Sequence, residues 1–291
     1  MMSGWSSLRL VTEHNDGALQ VFYKRISRLA VVAWIPGGLA GRTSRLENSW
    51  GREIHEQMAA WSTYIRIAFP THPTGAIDAE SSWREVSSPI SAPKTILIDL
   101  SKSHDQLRSE MGPNWRRNLK RSERFMLTVR TLTSDDSTAV NHLEDTVADY
   151  KRLKTRAPRH GGDTVNLLEQ QALVLGVFDQ ESRLLSVRGA ALFGNTACDI
   201  VAATTPEGRR VYASYLATWS LLSALKDRNI TSFDFSGIDD LRNKGVSDFK
   251  RGLGGVEVTY PSELHQASPN WLIPLFSLII RGRDFVHRLA G

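Results

Sequence analysis

The stretch at residues 233–255, FDFSGIDDLRNKGVSDFKRGLGG, is the most informative part of this 291-residue sequence. Its aromatic start predicts a short buried strand, and its glycine-rich end predicts a turn. Two cations, Lys250 and Arg251, lie between an aromatic residue and the glycines. That arrangement suits either a surface turn or a loop that binds a phosphate. The rest of the sequence is needed to choose between these two interpretations.

Short strands alternate with helices on both sides of this stretch. Apolar runs predict strands at AVVAWI, TILIDL, LVLGVFD, LLSVRGAALF and ACDIVAATT. Helices are expected near 44–64, 134–156 and 211–228, the last with Leu216, Trp219, Leu222 and Leu225 on one stripe. This order predicts an α/β (α+β) fold with mixed sheets in two similar blocks. We place the blocks at 1–132 and 133–267, with 268–291 completing the first.

Composition limits the possible functions. Lys and Arg exceed Asp and Glu by 36 to 31, a net charge of +5, which favours an anionic partner. Cys198 is the only cysteine, which excludes an intramolecular disulfide and a cysteine-rich zinc site and fits a reducing compartment. The longest apolar run, WLIPLFSLII at 271–280, is shorter than the roughly 20 residues of a membrane-spanning helix. With no secretory signal at the N-terminus, we expect a cytoplasmic protein.

The densest charge lies in NWRRNLKRSER at 114–124. On a helix its cations would share an arc of about 140°, opposite Trp115, Leu119 and Met126. We call this surface the cationic face: Arg116, Arg117, Lys120, Arg121 and Arg124. It is either a solvated helix face or, because like charges at this spacing repel, a binding surface for RNA or a polyphosphate. The second cluster, YKRLKTRAPRH with Arg156, could line the same groove or end a solvated helix.

Common catalytic motifs are absent from the sequence. There is no HExxH metal pair, no Walker loop and no GxSxG nucleophile elbow. Acyl transfer from an activated ester to an amine requires none of these. The protein has only to position the amine, stabilise the oxyanion and allow proton transfer from the amine.

The opening stretch resembles the C-terminal signature of the Fem family, non-ribosomal peptidyltransferases that add amino acids from aminoacyl-tRNA to peptidoglycan precursors. In that family an aromatic-Asp-Phe-x-Gly strand leads to a Phe-Lys-x-Gly-Phe-Gly-Gly segment. The matching residues here are Phe233, Asp234, Phe235, Gly237, Phe249, Lys250, Gly252, Gly254 and Gly255, with Leu253 in place of the second aromatic. Weaker similarity covers about residues 30–265, and only this terminal signature is specific.

The resemblance implies two tandem acetyltransferase-like (GNAT) subdomains without a coiled-coil arm. Lys250 matches the family lysine near the aminoacyl ester, and Phe249 matches the aromatic that positions the terminal adenosine. The cationic face, together with Arg156 and Arg251, would bind tRNA. Residues expected at the acceptor are Arg209, Arg210, Tyr212, Tyr215 and Asp239, which match the family in position and type only. Ordinary packing and loop capping remain alternatives for them.

Three functions stay open on the sequence. The first is an aminoacyltransferase that uses aminoacyl-tRNA as co-substrate, without a metal or other cofactor, and forms an amide on a peptidoglycan precursor or on a peptide or nucleoside antibiotic intermediate. The second is a GNAT-type N-acyltransferase with an acyl-CoA or carrier-bound donor, since RGLGGV at 251–256 nearly fits the CoA loop [QR]xxGx[GA]. The third is a non-catalytic protein that binds RNA or a membrane surface, the latter through its C-terminal helix.

Overall fold

The computed structural model describes residues 5–11, 17–41, 45–69, 78–150, 171–240 and 243–278. The chain divides into two compact units. The first runs to Pro93 and resumes at Thr259, and the second spans Lys94–Val258. Residue 132, where the sequence suggested a boundary, lies inside the second unit, because Lys94–Asp99 pairs with Ser232–Asp234 in that unit's sheet.

The elements are numbered in chain order. The first unit contains β1 (Ser6–Val11), β2 (Gly17–Arg25), β3 (Ala30–Ile35), β4 (Leu39–Gly41), β5 (Arg45–Leu46), α1 (Asn48–Met58), β6 (Ser62–Ile67), β7 (Asp78–Ala79) and β8 (Arg84–Glu85). The second contains β9 (Lys94–Asp99), α2 (His104–Glu110), α3 (Pro113–Ser122), β10 (Thr128–Thr131), α4 (Ser137–Tyr150), β11 (Ala172–Phe178), β12 (Leu184–Phe193), β13 (Thr196–Thr204), α5 (Pro206–Arg210), α6 (Ala213–Lys226), β14 (Ser232–Asp234), α7 (Lys244–Gly252) and β15 (Val256–Thr259). The chain then returns to the first unit with β16 (Leu264–Ser268).

The first unit is built on a sheet of order β1-β2-β3-β6-β16-β8, with β4 also paired to β2. Strands β3 and β6 are parallel and are connected through α1. Helix α1 ends at Ala59 in the left-handed conformation (φ 45°), so it is shorter than the helix predicted for 44–64. Its Ile54 is buried with Leu19 and Ile65 in one core.

The second unit is built on a sheet of order β10-β11-β12-β13-β14-β9-β15. Its parallel pair is β13 with β14, connected through α5 and α6. Helix α6 buries Trp219, Leu222 and Leu225 as its apolar stripe predicted, and Leu216 is half-buried. Each unit therefore repeats a strand–helix–parallel strand core within a mixed sheet, as the sequence indicated.

Some local features differ from the sequence prediction. A serine just before the helix, as at Ser101 or Ser103, is a typical cap; Ser103 caps α2 and accepts from Gln106 N, whereas Ser101 donates to Asp99. The longest described helices, α4 and α6, have 14 residues each, so the described residues contain no coiled-coil arm. Within the same part of the chain, every helix is too short or too polar to cross a bilayer.

Candidate functional site

Lys250 lies in the last turn of α7 and points into the protein. The segment around Lys250 and Arg251, which the sequence predicts to be either a surface turn or a phosphate-binding loop, forms the end of this helix. Lys250 is only 7% exposed, and its Nζ lies 2.6 Å from the carbonyl oxygens of both Phe235 and Gly237. Two of the three ammonium N–H groups are therefore used within the chain, which fixes the ammonium at the end of β14.

Two further charged side chains are buried in the same region. Arg188 on β12 donates to Asp199 on β13 at 2.7 Å. Both cations lie near the buried ring of Phe235, with Arg188 Cζ at 5.1 Å and Lys250 Nζ at 5.8 Å from its centroid. We call Arg188, Asp199 and Lys250 the buried charge cluster. Arg188 Nε and Asp199 Oδ1 have no hydrogen-bond partner among the described residues, which is unusual for buried polar atoms.

Burial shifts the pKa values of Lys250 and Asp199 away from their charged forms. The pKa of Lys250 is lowered, chiefly by desolvation, while the nearby Asp199 carboxylate partly opposes the change. The pKa of Asp199 is raised, again chiefly by desolvation, although Arg188 and Lys250 favour its ionised form. Perturbed groups of this kind concentrate at functional sites, although structural ion-pair networks also produce them.

The cluster lies where the second sheet opens. Strands β13 and β14 pair over only three positions, the last being Cys198 with Asp234. Asp199 is the next residue of β13, and β13 continues to Thr204 without β14 beside it. The carbonyls that hold Lys250 belong to the segment immediately after β14. The charged side chains therefore gather at the point where the parallel strands separate.

An aromatic cluster adjoins this point. Phe249, next to Lys250, has its ring 5.0 Å from that of Tyr215 and 5.6 Å from that of Trp115. Trp115 Nε1 also donates to the Phe249 carbonyl at 3.1 Å, which ties α3 to α7. Tyr212 contacts Tyr215 at 6.2 Å. We call these four residues the aromatic cluster; Trp115 is buried, and the other three are half-buried.

Helix α3 presents the cationic face to solvent. Four of the five cations lie on α3 and Arg124 lies two residues after its end; all five are exposed, and Trp115 and Leu119 are buried, as predicted. The prediction for Met126 is wrong: α3 ends at Ser122, so Met126 follows the helix and is exposed. Arg121 joins the cationic face to the aromatic cluster, because it donates to the Tyr212 hydroxyl at 3.0 Å.

Comparison with known proteins identifies the fold. Residues 113–251 match the acetyltransferase (GNAT) domain. The structure of FemX superimposes with a TM-score of 0.76 at 14% identity, covering 95% of this chain and 91% of that chain. The chain has a Fem-like GNAT fold. L-PGS from Bacillus licheniformis shares it at a TM-score of 0.58 and 10% identity, covering 94% of this chain and 87% of that one. No curated protein matches the sequence significantly.

The match to the GNAT domain lies within the second unit and does not identify the acceptor residues. Arg209 and Arg210 lie in α5, which is separate from the longer helix α6. Tyr212 is the residue before α6 and has a φ of 59°, which is uncommon for a bulky residue. Tyr212 and Tyr215 belong to the aromatic cluster, whereas Asp239 lies in the loop after β14, with its amide bonded to Ser247 Oγ.

The residues after Lys250 have internal roles. Arg251 forms a bidentate pair with Asp240, at 2.6 and 2.8 Å, and donates to Glu257; these carboxylates raise its pKa. A Cβ at Gly255, whose φ is 92°, would lie 2.5 Å from the Leu97 carbonyl oxygen. The glycines thus allow close packing within the second unit. Arg156 lies outside the described residues.

Sequence reasoning missed Arg188 and Asp199. Each is the one charged residue of its strand, LLSVRGAALF for β12 and TACDIVAAT for β13. A charge in a buried strand has to be paired or functional. The sequence shows these two lone charges, but it does not show that they pair with each other.

Proposed function

We propose that this chain is an aminoacyltransferase that moves an amino acid from aminoacyl-tRNA to an amine and forms an amide bond. The activity follows from the family resemblance of the Lys250 segment, and the Fem-like GNAT fold is consistent with it. The reaction needs no metal or organic cofactor, because the aminoacyl ester already carries a good leaving group.

One structural observation carries the proposal. The cationic face, Phe249 and Lys250, which the sequence assigned to the donor, are connected through Tyr212 and Tyr215, which the sequence assigned to the acceptor. An RNA backbone on the cationic face would place its terminal nucleoside against aromatic rings, which bind bases by stacking. The ester beyond that nucleoside would then lie near Lys250.

The chemistry requires few groups from the protein. The acceptor amine attacks the ester carbonyl, the C–N bond forms, and negative charge develops on the carbonyl oxygen. When the tetrahedral intermediate collapses, the ester C–O bond breaks and the tRNA hydroxyl leaves with a proton that originates from the amine. Lys250 has one ammonium N–H beyond its two carbonyl bonds, and we assign it to the developing oxyanion, where a fixed donor is most effective.

An acyl-CoA donor is the alternative, and the position of RGLGGV disfavours it. A diphosphate is bound well by the free N–H groups at a helix N-terminus. Here the segment forms the C-terminal end of α7 and the turn after it, and Arg251 is neutralised by Asp240 and Glu257. In addition, the opening between β13 and β14 is occupied by the buried charge cluster.

The acceptor is proposed only as a class. A peptidoglycan precursor and a peptide or nucleoside intermediate of antibiotic biosynthesis both supply the amine that the reaction needs. A cytoplasmic location would give access to charged tRNA and to either acceptor.

Transfer assays with radiolabelled aminoacyl-tRNAs, supplied one at a time with a pool of amine acceptors, test the proposal. We expect one aminoacyl-tRNA to give a labelled product that is stable to mild alkali, as an amide is and an ester is not. RNase added before the enzyme should abolish the label. Transfer that survives RNase and follows radiolabelled acetyl-CoA would instead establish the alternative donor.

A further inference from the structure

One end of the first unit exposes large apolar side chains from neighbouring segments. Trp61, in the loop before β6, is 58% exposed, and Trp271 is 68% exposed; their ring centroids are 6.2 Å apart. The turn between β2 and β3 lies beside them, because Ser62 donates both its N–H and its hydroxyl to the Leu29 carbonyl. We call this surface the tryptophan patch: Ile26, Leu29, Trp61, Trp271, Leu275 and Leu278, all exposed.

The C-terminal segment is apolar on both of its faces. One face packs on the first unit, where Phe276 stacks on Tyr64 at 4.8 Å and Ile273 is buried in the same cluster. Trp271, Leu275 and Leu278 are spaced four and three residues apart, so they share the exposed face. Packing against the core requires only one apolar face. The second face therefore indicates binding to an apolar partner.

Cations surround the apolar side chains of the β2–β3 turn. The sequence KRISRL at 24–29 places Lys24, Arg25 and Arg28 around Ile26 and Leu29, and all five side chains are exposed. The guanidinium of Arg25 donates to the Met58 carbonyl at 2.7 Å, which fixes the turn against the end of α1. Glu56 is the acidic residue near that end of α1, so the local charge is positive.

We infer that the tryptophan patch binds the surface of an anionic phospholipid bilayer. Tryptophan prefers the boundary between headgroups and acyl chains, and isoleucine and leucine beside it enter the acyl region. Lysine and arginine at the rim of the same surface meet the phosphates of anionic headgroups. The complementary charge favours this partner over a neutral apolar surface. The inference does not rest on the proposed transferase activity.

Co-sedimentation of the full chain with vesicles tests the inference. The two compositions are phosphatidylcholine alone and phosphatidylcholine with about one-third phosphatidylglycerol. We expect about tenfold stronger partitioning to the anionic vesicles, weakened by salt, because each basic residue near such a surface contributes to attraction within a Debye length. The double substitution Trp61→Ala, Trp271→Ala should reduce binding about tenfold or more. Lys24→Glu with Arg28→Glu should remove the preference for anionic lipid.

A matched control is Phe193→Ala, which removes an exposed aromatic ring from the second unit and should leave vesicle binding unchanged. Thermal unfolding shows whether each variant is folded, and the charge-reversal variant tests the surface without altering the apolar residues. The inference is overturned if the wild-type chain does not bind anionic vesicles, or if both patch variants bind as well as wild type. It is also overturned if the wild-type chain self-associates and the tryptophan variant is monomeric, since the patch would then join two copies.

Discussion

The two units share a core motif but differ at their parallel strands. In the first unit β3 and β6 pair over six positions, from Ala30 with Ser62 to Ile35 with Ile67. In the second unit β13 and β14 pair over three positions and then separate. The first sheet is closed at this place and the second is open. In the second unit, the buried charge cluster lies where the paired strands separate.

The two units also differ in how completely their buried charged side chains are hydrogen-bonded. In the first unit Arg66 donates to Glu263 at 2.5 Å and to the Ser88 carbonyl at 2.6 Å, while Glu263 also accepts from the amides of Ile90 and Ser91. In the second unit Arg188 and Asp199 each retain a buried atom without a partner. A pair with its hydrogen bonds completed holds loops in place. A cluster with unused hydrogen-bonding capacity is suited to interact with a substrate.

The largest expected effect is on stability and concerns the first unit, whose parallel strands stay paired. Glu263→Ala leaves Arg66 buried without its counter-charge and should lower the free energy of unfolding by about 3–5 kcal/mol. Urea denaturation measures the change. Glu257→Ala, which removes a partly exposed carboxylate from Lys94 and Arg251, should cost much less, because exposed ion pairs contribute little to stability. Equal losses in the two variants would show that the Arg66–Glu263 pair has no special structural role.

Lys250→Ala should affect catalysis in the second unit. Loss of one oxyanion donor is expected to lower kcat/KM for transfer by about 30- to 900-fold, or roughly 2–4 kcal/mol. Lys244→Ala, an exposed lysine on the same helix, should retain activity. Because Lys250 also holds two carbonyls, near-ultraviolet circular dichroism must establish that the variant is folded. A folded Lys250→Ala protein with normal turnover would remove Lys250 from the mechanism.

Charge reversal on the cationic face should produce a smaller effect. Arg117→Glu combined with Arg124→Glu is expected to weaken tRNA binding about tenfold and to reduce the slope of log K against log salt by about two. Both residues are exposed, and neither contacts the aromatic cluster in the way that Arg121 does. Arg52→Glu, on α1 of the first unit, is the control. An unchanged salt slope would mean that the cationic face is only solvated.

The smallest expected effect is a shift in pH dependence. The ammonium form of Lys250 exists below its folded pKa, so activity that requires it is lost as the pH rises through that value. Asp199 raises the pKa of Lys250 against the effect of burial. Asp199→Asn should therefore move the alkaline limb of the kcat/KM profile to lower pH, whereas Asp248→Asn on the exposed side of α7 should not. An alkaline limb that stays in place would contradict the proposed coupling.

Local patterns predicted much of the fold. The strand runs at 30–35 and 184–193 and the apolar stripe of α6 were found because hydrophobic periodicity reflects which face is buried. The cationic face was found in the same way. The unit boundary was not, because β9 joins the second sheet through pairing with β14, more than 100 residues away in the chain. Periodicity contains no information about such partners.

The sequence by itself determined that the chain forms two α/β blocks, that five cations between Arg116 and Arg124 are exposed, and that a lysine follows Phe249 in a segment resembling the Fem signature. Only the tertiary structure decided that Lys250 points inward, that Arg251 is neutralised by two carboxylates, and that Arg188 and Asp199 meet at the opening of the second sheet. The physical reason is the separation along the chain between the residues that determine each feature. Helix faces and turns depend on residues a few positions apart, whereas burial and charge pairing depend on side chains that only the folded chain brings together.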